Sequence, residues 1–195
     1  MKHFIIVLIL LACCAAIFAA PADKQVTKST FTWLDGHSTR IIVGMRGKHH
    51  FTVRLSEGPL RKDMHIFHNK KGEIIPADNI KLDGKESETG GKISMDGNFD
   101  PIGTDYGLPS TEFYAFDVMV DGKKWDIPKK LWQDCYEPNI HVSNNPNFNY
   151  LWTTLSLDGT RLAIGMWGSD GAGSYHVIWY LRADGHQSRK TIRGD

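Results

Sequence analysis

From Tyr175 to Arg182 the odd positions Tyr175, Val177, Trp179 and Leu181 are apolar, while His176, Ile178, Tyr180 and Arg182 form a mixed opposite side. A period of two places successive side chains on opposite faces of an extended chain, so this segment reads as a strand with one face more fully buried. Arg161 to Trp167 repeats the pattern, with Leu162, Ile164 and Met166 on one side, and Leu151, Thr153, Leu155 and Leu157 supply a third strand in the same style. The C-terminal third is therefore expected to be a three-stranded meander. Upstream, Val26 to Trp33, Thr39 to Gly44 and Phe51 to Leu55 read as strands, as does Glu112 to Val120 with Tyr114, Phe116, Val118 and Val120 on one face. A short strand is expected over Met64 to Phe67.

Asp-Gly pairs at 35, 83, 96, 121, 158, 170 and 184 punctuate these runs. Glycine takes positive φ freely and aspartate tolerates it, which suits tight antiparallel hairpins. The pairs are irregularly spaced, which rules out a solenoid or propeller repeat. One segment leaves the period of two. In DIPKKLWQDCYEPN, Leu131, Trp132, Cys135 and Tyr136 share a helical face between Pro128 and Pro138, predicting a two-turn helix near 128–136 docked on the sheet. Residues 83–110 are rich in glycine and acid and read as a long loop or lid, with at most a short hairpin around Lys92 to Met95.

These elements predict an all-β, mainly antiparallel fold of about eight to ten strands, a β-sandwich or a flattened barrel. The alternation is the same for both, so an internal cavity is not decided by it. The N-terminus reads differently. An unbroken apolar run of 17 residues, Phe4 to Ala20, follows Lys2 and His3 and ends in small residues before Pro21, the layout of a cleaved signal peptide over residues 1–20. Leu10-Leu11-Ala12-Cys13 resembles the lipobox of bacterial lipoproteins, although the apolar residues that continue to Ala20 favour ordinary cleavage. The expectation is a secreted, periplasmic or cell-envelope protein with one β-rich domain over 21–195, membrane-attached only if lipidated at Cys13.

Removing residues 1–20 leaves 175 residues, enough for a single core, with 22 Lys and Arg balanced by 22 Asp and Glu. A neutral chain offers no long-range steering toward nucleic acid. Cys135 is the one cysteine left, so no internal disulfide can form and the fold rests on its core.

Candidate chemistry is sparse. Cys135 sits on an apolar face with acidic neighbours, the setting of a buried structural thiol rather than a nucleophile. His49-His50 and His65/His68 have the wrong spacing to chelate one ion from a strand. Asp96, Asn98 and Asp100 reproduce the D-x-N-x-D opening of a calcium loop, but Pro101 and Gly107 stand where its glycine and closing glutamate belong, so a weak calcium site is the most this stretch implies and no cofactor is expected. The loop Gly168 to Ser174 lacks the lysine and following helix of a nucleotide P-loop.

Aromatic side chains remain. Trp152, Trp167 and Tyr175, with Ser169 and Asp170 of the adjoining loop, are the expected ligand-binding residues, because flat rings at a sheet face or end suit sugars and protein surfaces. The leading expectation is a non-catalytic binding module for carbohydrate, an apolar small molecule or a protein. The alternatives are an extracellular hydrolase using paired carboxylates drawn from Glu112, Asp117, Asp126, Asp134 and Glu137, and an envelope scaffold.

Overall fold

A computed structural model of the chain describes residues 24–80, 93–98, 101–104, 108–140, 150–169 and 173–194. The segment 1–20, with Cys13, lies outside the described residues, as do most of the 83–110 stretch, Asp100 and Asp170.

The described residues form antiparallel β-sheets, as the alternation predicts. In the first sheet β1 (Gln25–Leu34), β2 (His37–Arg46), β3 (His49–Pro59), β7 (Thr111–Val120) and β8 (Lys123–Trp125) lie side by side in that order. The second is β9 (Leu151–Leu155), β10 (Arg161–Gly168), β11 (Tyr175–Arg182) and β12 (Gln187–Arg193), in sequence order. The C-terminal meander thus has four strands rather than three, and Leu157 lies beyond β9, 52% exposed. A small third sheet joins β4 (Phe67–His68) to β5 (Ile74–Ile75) and β6 (Ser94–Met95). Strand β6 pairs with β4 across 25 or more intervening residues instead of closing a hairpin near Lys92, and the expected strand at 64–67 begins only at Phe67, after a 3₁₀ turn over Lys62–Met64.

Asp-Gly pairs turn as expected where they are described. At 35/36, 96/97 and 121/122 both residues have positive φ, between 49° and 80°, the geometry of a two-residue hairpin loop whose twist matches the strands it joins.

One core lies between the inner faces of the two large sheets. It takes Phe51, Val53, Leu55, Phe116 and Val118 from the first and Leu162, Ile164, Val177, Trp179 and Leu181 from the second. Trp179 is fully buried, edge-on to Phe113 and Phe116, and its indole N–H donates to the carbonyl of Leu131 at 2.6 Å. Each fully buried large apolar side chain of this kind contributes about 1.5–3 kcal/mol. A smaller core of Leu60, Phe67, Ile80, Met95 and Tyr136 lies under the third sheet.

Two departures from the sequence pattern shape the molecule. In β7 the pairing steps from Ser56 opposite Ala115 to Glu57 opposite Phe113, leaving Tyr114 as an extra residue. Such a bulge reverses the alternation, so Phe113 enters the core and Tyr114, expected there beside Phe116, points outward. The second departure is at 128–136, where one 3₁₀ turn, Lys129–Leu131, replaces the two-turn helix. Tertiary bonds take the groups a helix needs. The Leu131 carbonyl accepts from Trp179 and Arg189, and the Tyr136 N–H donates to Ile102.

The large sheets approach each other at the β1 and β9 rims. Gln25 donates from Nε2 to the Thr153 carbonyl at 2.7 Å and accepts at Oε1 from the Leu155 N–H at 2.6 Å, while Arg46 donates to the Leu155 carbonyl at 2.8 Å.

Candidate functional site

Pairing in the second sheet fixes which side chains share its outer face. Trp152 lies opposite Gly165, Gly165 opposite Ile178 and Ile178 opposite Lys190, so these four form one row across the sheet. In the next row Trp167 faces His176 and His176 faces Ile192, and on the other side Thr154, Ala163, Tyr180 and Ser188 line up. Rows two residues apart are about 7 Å from one another along a strand. Trp152, Trp167, His176, Ile178, Tyr180 and Ile192 therefore make a continuous surface, on which Tyr180 and Ile192 are each 46% exposed.

Gly165 determines how Trp152 lies. A Cβ built there would sit 2.1–2.3 Å from Cε2, Cζ2 and Nε1 of the Trp152 indole, so the ring occupies the space above the glycine and lies across the sheet. A residue with a side chain at 165 would lift it. Trp167 and His176 stack with centroids 4.6 Å apart and planes 13° apart. His176 is pushed below its ordinary pKa by burial, and its Nε2 has no hydrogen-bond partner, so the ring is the neutral, apolar half of the stack. The four strands of this sheet carry Arg161, Arg182, Arg189, Lys190 and Arg193 and no acidic residue.

The expected ligand residues separate. Trp152 and Trp167 lie together on this outer face. Tyr175 does not: it is completely buried, its ring crosses Gly168 on the inner side, and its hydroxyl donates to the Tyr136 carbonyl at 2.9 Å. It is a core residue, in keeping with its alternation alongside Val177 and Trp179. Ser169 has φ 55°, and its backbone donates to the Glu137 carbonyl at 2.7 Å and accepts from Asn139 Nδ2 at 2.6 Å. Asp170 is outside the described residues.

A second constellation was not legible in the sequence. Glu112, 3% exposed, accepts at Oε1 from the backbone N–H of Arg61 at 3.0 Å and from its Nε, and at Oε2 from His65 Nε2 at 3.0 Å. The other ring nitrogen of His65 meets Asp96 Oδ2 at 2.7 Å. Two acceptors on one ring require the doubly protonated imidazolium, and His65 is raised above the ordinary histidine range by the Glu112 bond against the opposing effect of burial, with Asp96 adding to it. Burial pushes Glu112 up, but the bonds from His65 and Arg61 outweigh it and hold the carboxylate below its ordinary range. The Arg61 guanidinium lies 4.0 Å over the Tyr114 ring that the β7 bulge turns outward.

Asp96 is thereby committed. Its Oδ1 accepts from the Ile66 N–H at 2.9 Å, leaving it tied at both oxygens, and Asp100 is outside the described residues. Among the described residues no group of three His, Cys, Asp or Glu side chains is placed to hold a metal ion. Cys135 is fully buried and burial pushes its thiol up to about 12. No protein-family model, curated protein or solved structure matches the chain.

Proposed function

We propose that the protein is an exported, non-catalytic module that binds carbohydrate on the outer face of the β9–β12 sheet, within a two-sheet sandwich whose β1/β9 seam is bridged by side chains rather than closed as a barrel. The observation that carries this reading is the seating of the Trp152 indole across Gly165 beside the Trp167–His176 stack. A pyranose ring has an apolar C–H face and a rim of hydroxyls. A flat indole floor with a ring pair at its side and hydrogen-bonding groups around it, here Thr154, Tyr180 and Lys190, complements both.

The rival, a hydrolase with paired carboxylates, has less support. Glu112 is held charged by Arg61 and His65, Asp134 is paired with Arg189, Asp117 lies 3.2 Å from Lys124, and Glu137 accepts from the Ser110 and Thr111 N–H groups. Glu112, held as a carboxylate, is a poor proton donor to a leaving group, and glycoside hydrolysis needs one.

Affinity electrophoresis of the 21–195 chain through gels containing single polysaccharides tests the reading. Retardation by at least one neutral or charged polysaccharide is expected. Trp152→Ala should weaken it about 30-fold, the effect of removing an aromatic anchor worth about 2 kcal/mol, with the near-UV circular dichroism of the core retained. Absence of retardation across β-glucan, chitin, mannan, pectin and peptidoglycan fragments, or retardation unaffected by Trp152→Ala and Trp167→Ala, would overturn it.

A further inference from the structure

The two large sheets end in the edge strands β1, β8, β9 and β12. Short length, charge and covering side chains are what keep an edge from pairing with a foreign strand, and three of these edges have them. Strand β8 is three residues long and includes Lys123 and Lys124. Strand β12 carries Arg189, Lys190 and Arg193 among its seven residues, and the rim of β9 is occupied by the side chains of Gln25 and Arg46. Strand β1 is different. It runs ten residues beside β2 in unbroken register, with no proline and one charge, Lys28. Every residue from Thr27 to Leu34 is exposed, Trp33 and Leu34 by 63% and 66%.

The β1–β2 hairpin fixes which backbone groups of β1 are unused. Leu34 and His37 flank the two-residue Asp35-Gly36 turn and exchange both backbone bonds, and opposite residues alternate from there between bonded and non-bonded pairs. Leu34, Thr32, Thr30 and Lys28 are therefore bonded to β2, while Trp33, Phe31 and Ser29 turn their N–H and C=O groups to the open rim. Phe31 lies on the inner face, 5.2 Å from the guanidinium of the buried Arg40, and Trp33, two residues on, shares that face. At the other end Gln25 is committed to β9. An incoming strand thus has Lys28 to Leu34 to pair with.

We propose that β1 is the contact of a symmetric homodimer, in which β1 of a second copy runs antiparallel to it with Phe31 at the two-fold axis. The unused groups lie at odd positions, so odd residues must face odd residues. The register that stays within the exposed stretch sets Phe31 opposite the partner's Phe31, Trp33 opposite the partner's Ser29 and Leu34 opposite the partner's Lys28. This pairing suits a second copy on two counts. Two phenylalanine and two tryptophan rings meet on one face across the axis, a stabilising cross-strand arrangement. Each Lys28 arrives beside the partner's Asp35 and away from the partner's Lys28, and neither Lys28 nor Asp35 has an ion-pair partner within its own chain among the described residues. The axis stands perpendicular to the sheet, so the two five-stranded sheets become one and both β9–β12 outer faces point to the same side. Resting on the carbohydrate reading, that arrangement offers a polymer two sites at once; the dimer itself does not depend on it.

Sedimentation equilibrium of the 21–195 chain tests the proposal. A monomer–dimer equilibrium with Kd of about 10–100 μM is expected, because one pair of short strands covers less than a standard interface. Trp33→Lys, at an exposed position, should weaken it at least about tenfold with the near-UV circular dichroism of the core retained. Trp152→Ala should leave it unchanged, which keeps this result distinct from carbohydrate binding. Phe31→Cys brings two thiols together at the axis, whereas Thr27→Cys sets them at opposite ends of the paired stretch; with Cys135 buried, mild oxidation should link the first variant into a covalent dimer and not the second. A monomer at about 1 mM, association that runs on past the dimer, a dimer indifferent to Trp33→Lys, or equal crosslinking of the two cysteine variants would overturn the proposal.

Discussion

Replacing Glu112 with glutamine tests the buried network while changing almost no volume. The carboxylate is 4% exposed at the side chain and neutralises His65, 9% exposed, and Arg61, 38% exposed. Breaking a buried ion pair by removing one partner costs about 3–5 kcal/mol. Arg61 is exposed enough to recover hydration, which places Glu112→Gln near the lower end, about 3 kcal/mol at pH of about 5.5. The pH dependence follows from the two shifts. His65 is raised in the folded state, so its contribution is complete below the ordinary imidazole pKa and is lost as pH rises through the folded value. Glu112 is lowered, so its contribution is present above the ordinary carboxylate pKa and is lost as pH falls through the folded value. The mutational loss is thus greatest between about pH 5 and 6.5. At a pH above the raised folded value of His65, where the ring is neutral, the charged hydrogen bonds with Arg61 remain, worth about 1.5 kcal/mol. Urea denaturation of both proteins at the two pH values, with m unchanged, measures the difference. A loss below about 1 kcal/mol at pH 5.5, or an equal loss at both pH values, would refute the charge assignment of His65.

Two further outcomes are expected. Gly165→Ala places a Cβ about 2.1 Å from the Trp152 ring; overpacking of this kind costs about 1–3 kcal/mol, and Trp152→Ala in the same chain should recover most of it, so that urea midpoints of the two single variants and the double variant depart clearly from additivity. Cys135, fully buried with its thiol pushed up to about 12, should resist iodoacetamide in the native protein and label at once in guanidinium, as followed by mass spectrometry; labelling of the folded chain at the rate of a free thiol would contradict its placement.

The parts of the fold readable from the sequence are those set by near neighbours. Val177, Trp179 and Leu181 reveal their buried face because a strand exposes its pattern every second residue, and Asp35-Gly36 and Asp121-Gly122 turn because positive φ is a local matter. Tyr175 belonged to the same buried row, and that alternation was better evidence than its place beside the 168–174 loop. The bulge at Tyr114 left no local mark, since Phe113 and Tyr114 are equally plausible on either face until the partner strand sets the register. The helix at 128–136 had the right apolar spacing, but Trp179 and Arg189, 48 and 58 residues beyond Leu131, claim its carbonyl. Distance in sequence also hid the Glu112 network. Arg61 and His65 lie 51 and 47 residues from Glu112, and no spacing rule connects them. The one signal available was Glu112 itself, an acid followed directly by the apolar run Phe113 to Phe116 of a strand, where a buried charge requires partners from elsewhere.

The Gln25 amide bears on how the protein behaves when crowded. Strand β9 ends its sheet and would otherwise offer its outer rim to any extended chain, the usual starting point for cross-β stacking. Gln25 and Arg46 occupy the Thr153 carbonyl and both backbone groups of Leu155, a plug contributed by two side chains. Strand β1, at one edge of the other large sheet, presents Phe31, Trp33 and Leu34 to solvent along a ten-residue margin. Between these two rims, β1 is the one expected to pair with another chain at high concentration, and β9 the one expected to be spared.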